Sequence, residues 1–268
     1  MRVLIHPGFH KTGTSSLQRA ALASAEALEP RLRVLLTDHL RPATQIARRY
    51  AIHHRVKALD DFGAAFADHI SGLDPADPRP VLISSEALIG QIPGRKGVWT
   101  YAAALPLLMA AVEVLHRHAG TSRADITVWF TTRAAEDWKR SAYWQNLRSE
   151  RLTEAFDSYQ AKLDRGARMD DVVAEVRAAL DGQAQVLSDR IERIGSPPLG
   201  PLGAALDLLD LPADGLAPQP FHNVQPAGAA EELLALNRSA LDDEALAEAK
   251  SMFMKSLWRA GLTQQEAK

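Results

Sequence analysis

The chain has 268 residues, of which 46% are apolar and 24% are charged, a balance typical of a globular protein with a substantial core. Its net charge of −2 argues against nonspecific nucleic-acid binding, which needs clustered positive charge, and the lack of cysteine excludes disulfides and thiolate chemistry. The nine histidines show no close metal-ligand spacing, so we expect no metal.

The apolar run that begins at Val3 stops at His6, which is too short for a secretory signal. No stretch approaches the roughly 20 apolar residues needed to cross a bilayer. We therefore expect a cytoplasmic protein that does not act on a membrane; the sequence leaves its oligomeric state open.

Short apolar runs alternate along the chain with longer periodic segments. The runs predict buried strands at residues 3–5, 34–36, 81–83, 126–130 and 185–187. The periodic segments predict helices at residues 15–28, 42–53, 60–70, 101–118, 134–149 and 171–180. This alternation predicts a three-layer α/β/α fold of the P-loop type, with a central parallel sheet of about five strands.

The C-terminal quarter has a different composition. Residues 195–226 are rich in Pro and Gly, with a short apolar helix predicted near 202–209, and two amphipathic helices follow at 231–238 and 243–259. We interpret the Pro/Gly-rich stretch as a wrapping loop rather than a linker. Residues 1–268 are therefore predicted to form one domain.

Three polar segments begin where an apolar strand is predicted to stop: residues 6–16, 84–86 and 131–133. In open parallel sheets, ligands bind at the carboxyl ends of the strands. The sequence therefore predicts that the functional groups lie in these three segments.

The first segment contains Gly8 and Gly13 in a GxxxxG spacing between a strand and a helix. Glycines let the backbone curve around an anion, and the free amides at a helix start point into that curve. An ATP-binding P-loop has its lysine directly after the second glycine, whereas here Lys11 lies inside the loop. The pattern therefore predicts a phosphate-binding loop that differs from the ATP-binding form.

The segment His10-Lys11-Thr12-Gly13-Thr14-Ser15-Ser16 resembles the 5′-phosphosulfate loop of sulfotransferases, which use 3′-phosphoadenosine 5′-phosphosulfate (PAPS) as co-substrate. The resemblance implies that Lys11 and the backbone of Thr12, Gly13, Thr14 and Ser15 hold the 5′-phosphate. It also implies that Lys11 stabilises the leaving phosphate oxygen, while His10 orients the loop or the substrate.

The same family places an Arg at a strand end and a Ser eight residues later to bind the 3′-phosphate. Arg133 and Ser141 have this spacing, although Ala134 and Ala135 stand where the family often has Asn-Pro. A guanidinium offers a phosphate two parallel donors, and a hydroxyl two turns into the helix adds another.

Sulfuryl transfer to a hydroxyl or amine needs a base, which sulfotransferases carry at the end of a neighbouring strand. Glu86 is the expected catalytic base, with capping of the next helix as its structural alternative. The pair His53 and His54 resembles one in bacterial sulfotransferase-like proteins and is the other catalytic candidate.

The expected acceptor is a small molecule or a carbohydrate. Residues 221–224 and 231–238 are similar to the tail of these bacterial proteins, but the Arg-Lys-Gly loop that covers the 3′-phosphate in cytosolic sulfotransferases is absent. Two alternatives stay open: a P-loop kinase or other phosphotransferase, and a nucleotide-binding protein of this fold without turnover.

Overall fold

The computed structural model describes residues 1–120, 124–196, 198–216 and 225–261. At its centre lies a five-stranded parallel sheet in the order β2-β3-β1-β4-β5. The strands are β1 (Arg2–His6), β2 (Arg33–Leu36), β3 (Val81–Ser84), β4 (Asp125–Thr132) and β5 (Gln185–Arg190). The predicted α/β fold with a parallel sheet of five strands is confirmed.

Helices cover both faces of this sheet. In the first half they are α1 (Thr14–Ala23), α2 (Ala25–Leu28), α3 (Arg41–His53), α4 (Val56–Ile70), α5 (Ala104–Ala119) and α6 (Ala135–Ser149). They continue with α7 (Phe156–Leu163), α8 (Met169–Ala179), α9 (Ile191–Ile194), α10 (Pro201–Leu208), α11 (Ala229–Arg238) and α12 (Asp243–Arg259). A one-turn 3-10 helix, Glu86–Ile89, follows β3.

Two apolar cores lie on opposite faces of the sheet, because successive side chains of a strand point to opposite faces. Val3 and Ile5 of β1 belong to the larger core, which includes buried residues of α3, α4, α5, α6 and α8. Leu4 and Trp129 belong to the smaller core, with α1, α2 and α10. Burial on both faces explains why the central strands are continuous apolar runs in the sequence.

Some predicted elements differ from those observed. The helix expected over 15–28 is divided at Ser24 into α1 and α2, and the helix expected from residue 60 begins four residues earlier, at Val56. The sequence did not predict α7 or α9. Both are short and take their stability from packing, which local periodicity does not record.

The two C-terminal helices predicted from the sequence are present as α11 and α12, and they hold the end of α6. Asn237 Nδ2 donates to the Leu147 carbonyl at 3.1 Å. Lys250 Nζ donates to the carbonyls of Leu147 and Glu150, each at 2.7 Å. These side chains satisfy carbonyls that the end of a helix leaves without partners. The predicted family-like tail at residues 221–224 lies outside the described residues.

Candidate active site at the strand ends

The loop between β1 and α1 adopts the sharp curve that its glycines allow. Gly8 and Gly13 have φ angles of 51° and 98°, in the left-handed region, and Lys11 shares it with a φ of 69°. A Cβ atom on Gly8 would lie 2.2 Å from Thr14 Oγ1. The loop backbone therefore requires glycine at position 8, because a side chain there would collide with the first residue of α1.

The start of α1 presents polar groups suited to an anion. Gly13 is the N-cap of the helix, and within the described residues the amides of Gly13, Thr14 and Ser15 donate to no backbone carbonyl. The Thr14 hydroxyl is buried and has no hydrogen-bond partner there either. Free amides, a hydroxyl and the positive end of a helix dipole form an anion-binding cradle.

A buried hydrogen-bond network lies beneath the loop and joins three strands. His6, at the end of β1, contacts Ser84 Oγ through Nδ1 at 3.0 Å and Thr131 Oγ1 through Nε2 at 3.2 Å. Thr131 Oγ1 in turn lies 2.8 Å from Thr12 Oγ1, which donates to the Phe9 carbonyl at 2.6 Å. The shape of the loop is thus fixed to the ends of β1, β3 and β4.

Both histidines beside the loop are held neutral by burial. Desolvation lowers the pKa of His6 to about 3. The pKa of His10 is also lowered to about 3, first by burial and then by the charges of Arg48, Arg95 and Lys11. A neutral imidazole has one donor and one acceptor nitrogen, which suits His6 to its place between two hydroxyl groups.

The second predicted phosphate anchor reaches the loop directly. Arg133 Nη1 donates to the Lys11 carbonyl at 3.3 Å, and Trp138 Nε1 donates to the His10 carbonyl at 2.8 Å. Lys11 Nζ donates to Gln145 Oε1, on α6, at 3.3 Å. Ser141 is half-buried two turns into α6 and makes no hydrogen bond among the described residues. The segment from β4 into α6 therefore packs against the loop, as the two motifs require.

Glu86 lies at the end of β3, in the first turn of the 3-10 helix. Gln18 Nε2 donates to its Oε2 at 3.3 Å, and the same nitrogen is 3.2 Å from Thr37 Oγ1 and 3.1 Å from the Ser84 carbonyl. Gln18 belongs to α1, so the carboxylate is tied to the helix that the loop begins. No capping hydrogen bond from Glu86 is present in the described structure.

The paired histidines lie farther from the loop. His53 is exposed in the last turn of α3, and His54, with a φ of 49°, ends that helix and packs edge-on against Tyr50. His54 also lines a cavity of about 220 Å³ between the end of α3 and residues 97–103. The lining includes neither Lys11 nor Glu86, so the structure does not bring these histidines together with the other predicted catalytic groups.

The sequence assigned no individual role to several residues that organise this site, namely His6, Thr131 and Trp138, and it did not indicate Gln18 or Gln145. The strand-end pattern was the available signal for His6 and Thr131, since both lie where an apolar run stops. Gln18, Trp138 and Gln145 lie on helices, and their contacts depend on partners more than sixty residues away.

Neither the protein-family models nor the curated proteins compared with this chain match it. Within the described residues, no cluster of three or more His, Asp or Glu side chains could hold a metal ion, and no helix is long and apolar enough to span a bilayer. The assignment of function therefore depends on the chemistry of the strand ends.

Proposed function

We propose that this chain transfers a sulfuryl group from PAPS to a hydroxyl or amine of an acceptor molecule. The observation that carries the proposal is the 3.3 Å contact between Arg133 Nη1 and the Lys11 carbonyl. It places a guanidinium next to a phosphate loop that contains its lysine at an internal position. Two anion-binding elements side by side fit a ligand with two separate phosphate groups.

The residues of the loop suit the 5′-phosphosulfate end of PAPS. The amides of Gly13, Thr14 and Ser15 have no backbone acceptor among the described residues, and the buried Thr14 hydroxyl has no partner. An anion in the cradle would satisfy these groups, and the burial of the Thr14 hydroxyl without a partner is costly. Arg133, with Ser141 in the following helix, would hold the 3′-phosphate.

PAPS supplies an activated sulfuryl group, and the sulfur–oxygen bond to the 5′-phosphate breaks as the acceptor oxygen or nitrogen bonds to sulfur. In the proposed mechanism Glu86 accepts the proton of the acceptor. Lys11 stabilises the electron pair that remains on the departing phosphate oxygen. The pKa values of His10 and His6 are lowered to about 3, so these histidines are weak bases and do not accept that proton.

A phosphotransferase of P-loop type would need a lysine in the first turn of α1. That turn begins Thr14-Ser15-Ser16 and contains no lysine. The position of Lys11 therefore favours sulfuryl transfer over ATP chemistry.

Calorimetric titrations with 3′-phosphoadenosine 5′-phosphate (PAP) and with adenosine 5′-phosphate test the proposal. We expect PAP to bind about 10-fold to 100-fold more tightly, because charge-assisted hydrogen bonds to the 3′-phosphate contribute about 1.5–3 kcal/mol. The Arg133→Gln variant should lose this preference, whereas Arg140→Gln, which removes an exposed arginine stacked on Phe156, should keep it. Equal affinity for the two nucleotides, or preference for ATP, would overturn the proposal.

A further inference from the structure

Three positively charged side chains from separate parts of the chain lie around His10. Lys11 comes from the loop, Arg48 from α3 and Arg95 from the segment between the 3-10 helix and α5. All three lower the pKa of the His10 imidazole through their charge. Arg48 and Arg95 belong to neither the loop nor the segment from β4 into α6, and the proposed nucleotide site gives them no role.

Arg95 is held firmly in this group. Its Nε donates to Asn146 Oδ1 at 3.1 Å, and its Nη2 donates to Ser149 Oγ. Glu150 lies 3.8 Å from its Nε and supplies partial charge compensation. The burial of Arg95, together with the charges of Arg48 and Arg148, lowers the pKa of its guanidinium. The protein therefore keeps positive charge at a site where burial and neighbouring charges oppose it.

Arg48 has no such compensation. It is half-buried on α3 and makes no hydrogen bond or ion pair with any described residue. A partly desolvated guanidinium that faces other cations raises the free energy of the folded chain until an anion joins it. Arg48 thus has an unused set of donors suited to a carboxylate, sulfate or phosphate group.

The described cavity of about 220 Å³ lies next to Arg48 along α3. Its lining includes Ala51 and Ile52, three and four residues after Arg48, and residues at these spacings share one face of a helix. Val98, Trp99 and Ala103 line the opposite side. The cavity has room for a small organic group about one helical turn beyond Arg48.

His10 supplies a second and independent indication of a ligand. Its side chain is only 9% exposed, and Nδ1 has no hydrogen-bond partner among the described residues. Tyr101 stacks against its ring at 6.0 Å and borders the segment that lines the cavity. A buried ring nitrogen without a partner among the described residues, near the unpartnered Arg48, indicates a polar group that completes the site.

We propose that this group of residues is the acceptor site, and that the acceptor carries an anionic group bound by Arg48 with the help of Arg95 and Lys11. The acceptor would lie between the cavity and the loop, with its anionic group at Arg48. The term acceptor rests on the proposed sulfuryl transfer, whereas the anion site itself does not.

Inorganic sulfate is a suitable probe, followed by NMR titration at ionic strength held constant with sodium chloride. The nucleotide-free chain should bind two sulfate ions, one in the loop and one at Arg48. When PAP is bound at saturation, only the Arg48 site should remain open to sulfate. Arg48→Gln should weaken this second site about 10-fold to 100-fold, as expected for a lost charge-assisted hydrogen bond.

Arg49→Gln is the matched control, because it removes a neighbouring arginine that is exposed on α3. This variant should bind sulfate like the unaltered chain, and Arg48→Lys should show an intermediate affinity because it keeps the charge. Circular dichroism of each variant establishes that it is folded. Sulfate affinity that is unchanged in Arg48→Gln, or a chain that binds sulfate only in the loop, refutes the anion site.

The two proposals fail in different ways. A chain that does not bind PAP contradicts the proposed function, yet the nucleotide-free titration still decides whether Arg48 holds an anion. A chain that binds PAP but shows no Arg48-dependent sulfate site retains the proposed function and loses the anionic acceptor.

Discussion

The two sides of the site differ in how far their polar groups are satisfied within the protein. Around the loop, His6, Thr12 and Thr131 are buried and linked by hydrogen bonds of 2.8–3.2 Å. On the side of α3 and residues 91–103, Arg48 has no partner among the described residues, His53 is exposed, and His54 borders a cavity. The network beneath the loop is satisfied within the protein, whereas Arg48 on the other side has donors without acceptors among the described residues.

This difference indicates that the two sides have different roles in binding. A preorganised loop binds its ligand without reorganisation and stabilises developing charge effectively. An open side, where Arg48 has no partner among the described residues and a cavity adjoins α3, instead selects among partners by their charge and shape. Under the proposed function, the first side binds the co-substrate that all turnovers share, and the second determines which acceptor is used.

The prediction with the largest expected effect tests whether Glu86 is the base of the proposed transfer. Glu86→Gln leaves a side chain that can still contact Gln18, but it removes the base. The release of PAP from PAPS should therefore slow about 10²-fold to 10⁴-fold. PAP affinity, measured by calorimetry, should not change. Glu113→Gln, on the exposed face of α5, serves as the control. Equal rates in Glu86→Gln and the unaltered chain would exclude Glu86 as the base.

The second prediction tests the preorganised side through its backbone. Gly8→Ala and Gly97→Ala both place a side chain at positive φ, at a cost of about 1–3 kcal/mol in the free energy of unfolding. Gly8→Ala should add an overpacking cost of about 1–3 kcal/mol, because its Cβ meets Thr14 Oγ1. No atom outside the neighbouring residues lies within 4 Å of a Cβ at Gly97.

Denaturant unfolding and PAP calorimetry measure both consequences. Only Gly8→Ala should lose PAP affinity, since Gly97 lies outside the loop. If both variants bind PAP equally well, the close approach of Gly8 to Thr14 has no role in forming the cradle.

The third prediction uses pH to compare a buried histidine of the loop side with an exposed one of the acceptor side. The unfolded chain protonates His6 near its ordinary pKa of about 6.5, whereas the folded chain does so only near 3. The stability due to neutral His6 is therefore complete above pH 6.5 and is lost as the pH falls towards 3. The slope is about 1.4 kcal/mol per pH unit.

Unfolding free energies measured between pH 7 and pH 5 should fall less steeply in His6→Gln than in the unaltered chain. His10 contributes in the same direction and remains in this variant. His53→Gln, which replaces an exposed histidine at the end of α3, is the control variant. An unaltered slope in His6→Gln would show that the network accepts a charged imidazole.

The smallest effect concerns Ser141, at the far end of the co-substrate side. Ser141→Ala removes one hydroxyl donor, so PAP affinity should fall by about 0.5–1.5 kcal/mol. Affinity for adenosine 5′-phosphate should be unaffected. Ser149→Ala, at the end of the same helix, is the comparison, and equal losses in both variants would remove Ser141 from the 3′-phosphate site.

Much of the fold could be predicted from the sequence, because each central strand is a continuous apolar run buried on both faces. Ends were harder to predict. β4 extends to Thr132 and β5 to Arg190, where polar residues continue the ladder beyond the apolar part. The first long helix is divided at Ser24, which the local pattern does not indicate.

The residues of the candidate site also differ in how far the sequence predicts them. Lys11, Gly13 and Arg133 could be predicted because their local spacing is a motif with a chemical reason. His6 acts through Ser84, which lies 78 residues later, and through Thr131, 125 residues later. Arg48 is of interest because it has no hydrogen-bond or ion-pair partner among the residues that the structure describes. No local sequence pattern indicates the contacts of His6 or the lack of a described partner for Arg48.

The bonds from Trp138 and Arg133 to the loop carbonyls have a consequence for the peptide groups of the loop. A trans peptide unit is planar, and its N–H points opposite to its C=O. When the indole of Trp138 fixes the His10 carbonyl, it also fixes the direction of the Lys11 amide. The guanidinium of Arg133 does the same for the Thr12 amide. The segment from Arg133 into α6 thus sets the orientation of dipoles in a loop encoded more than a hundred residues before it.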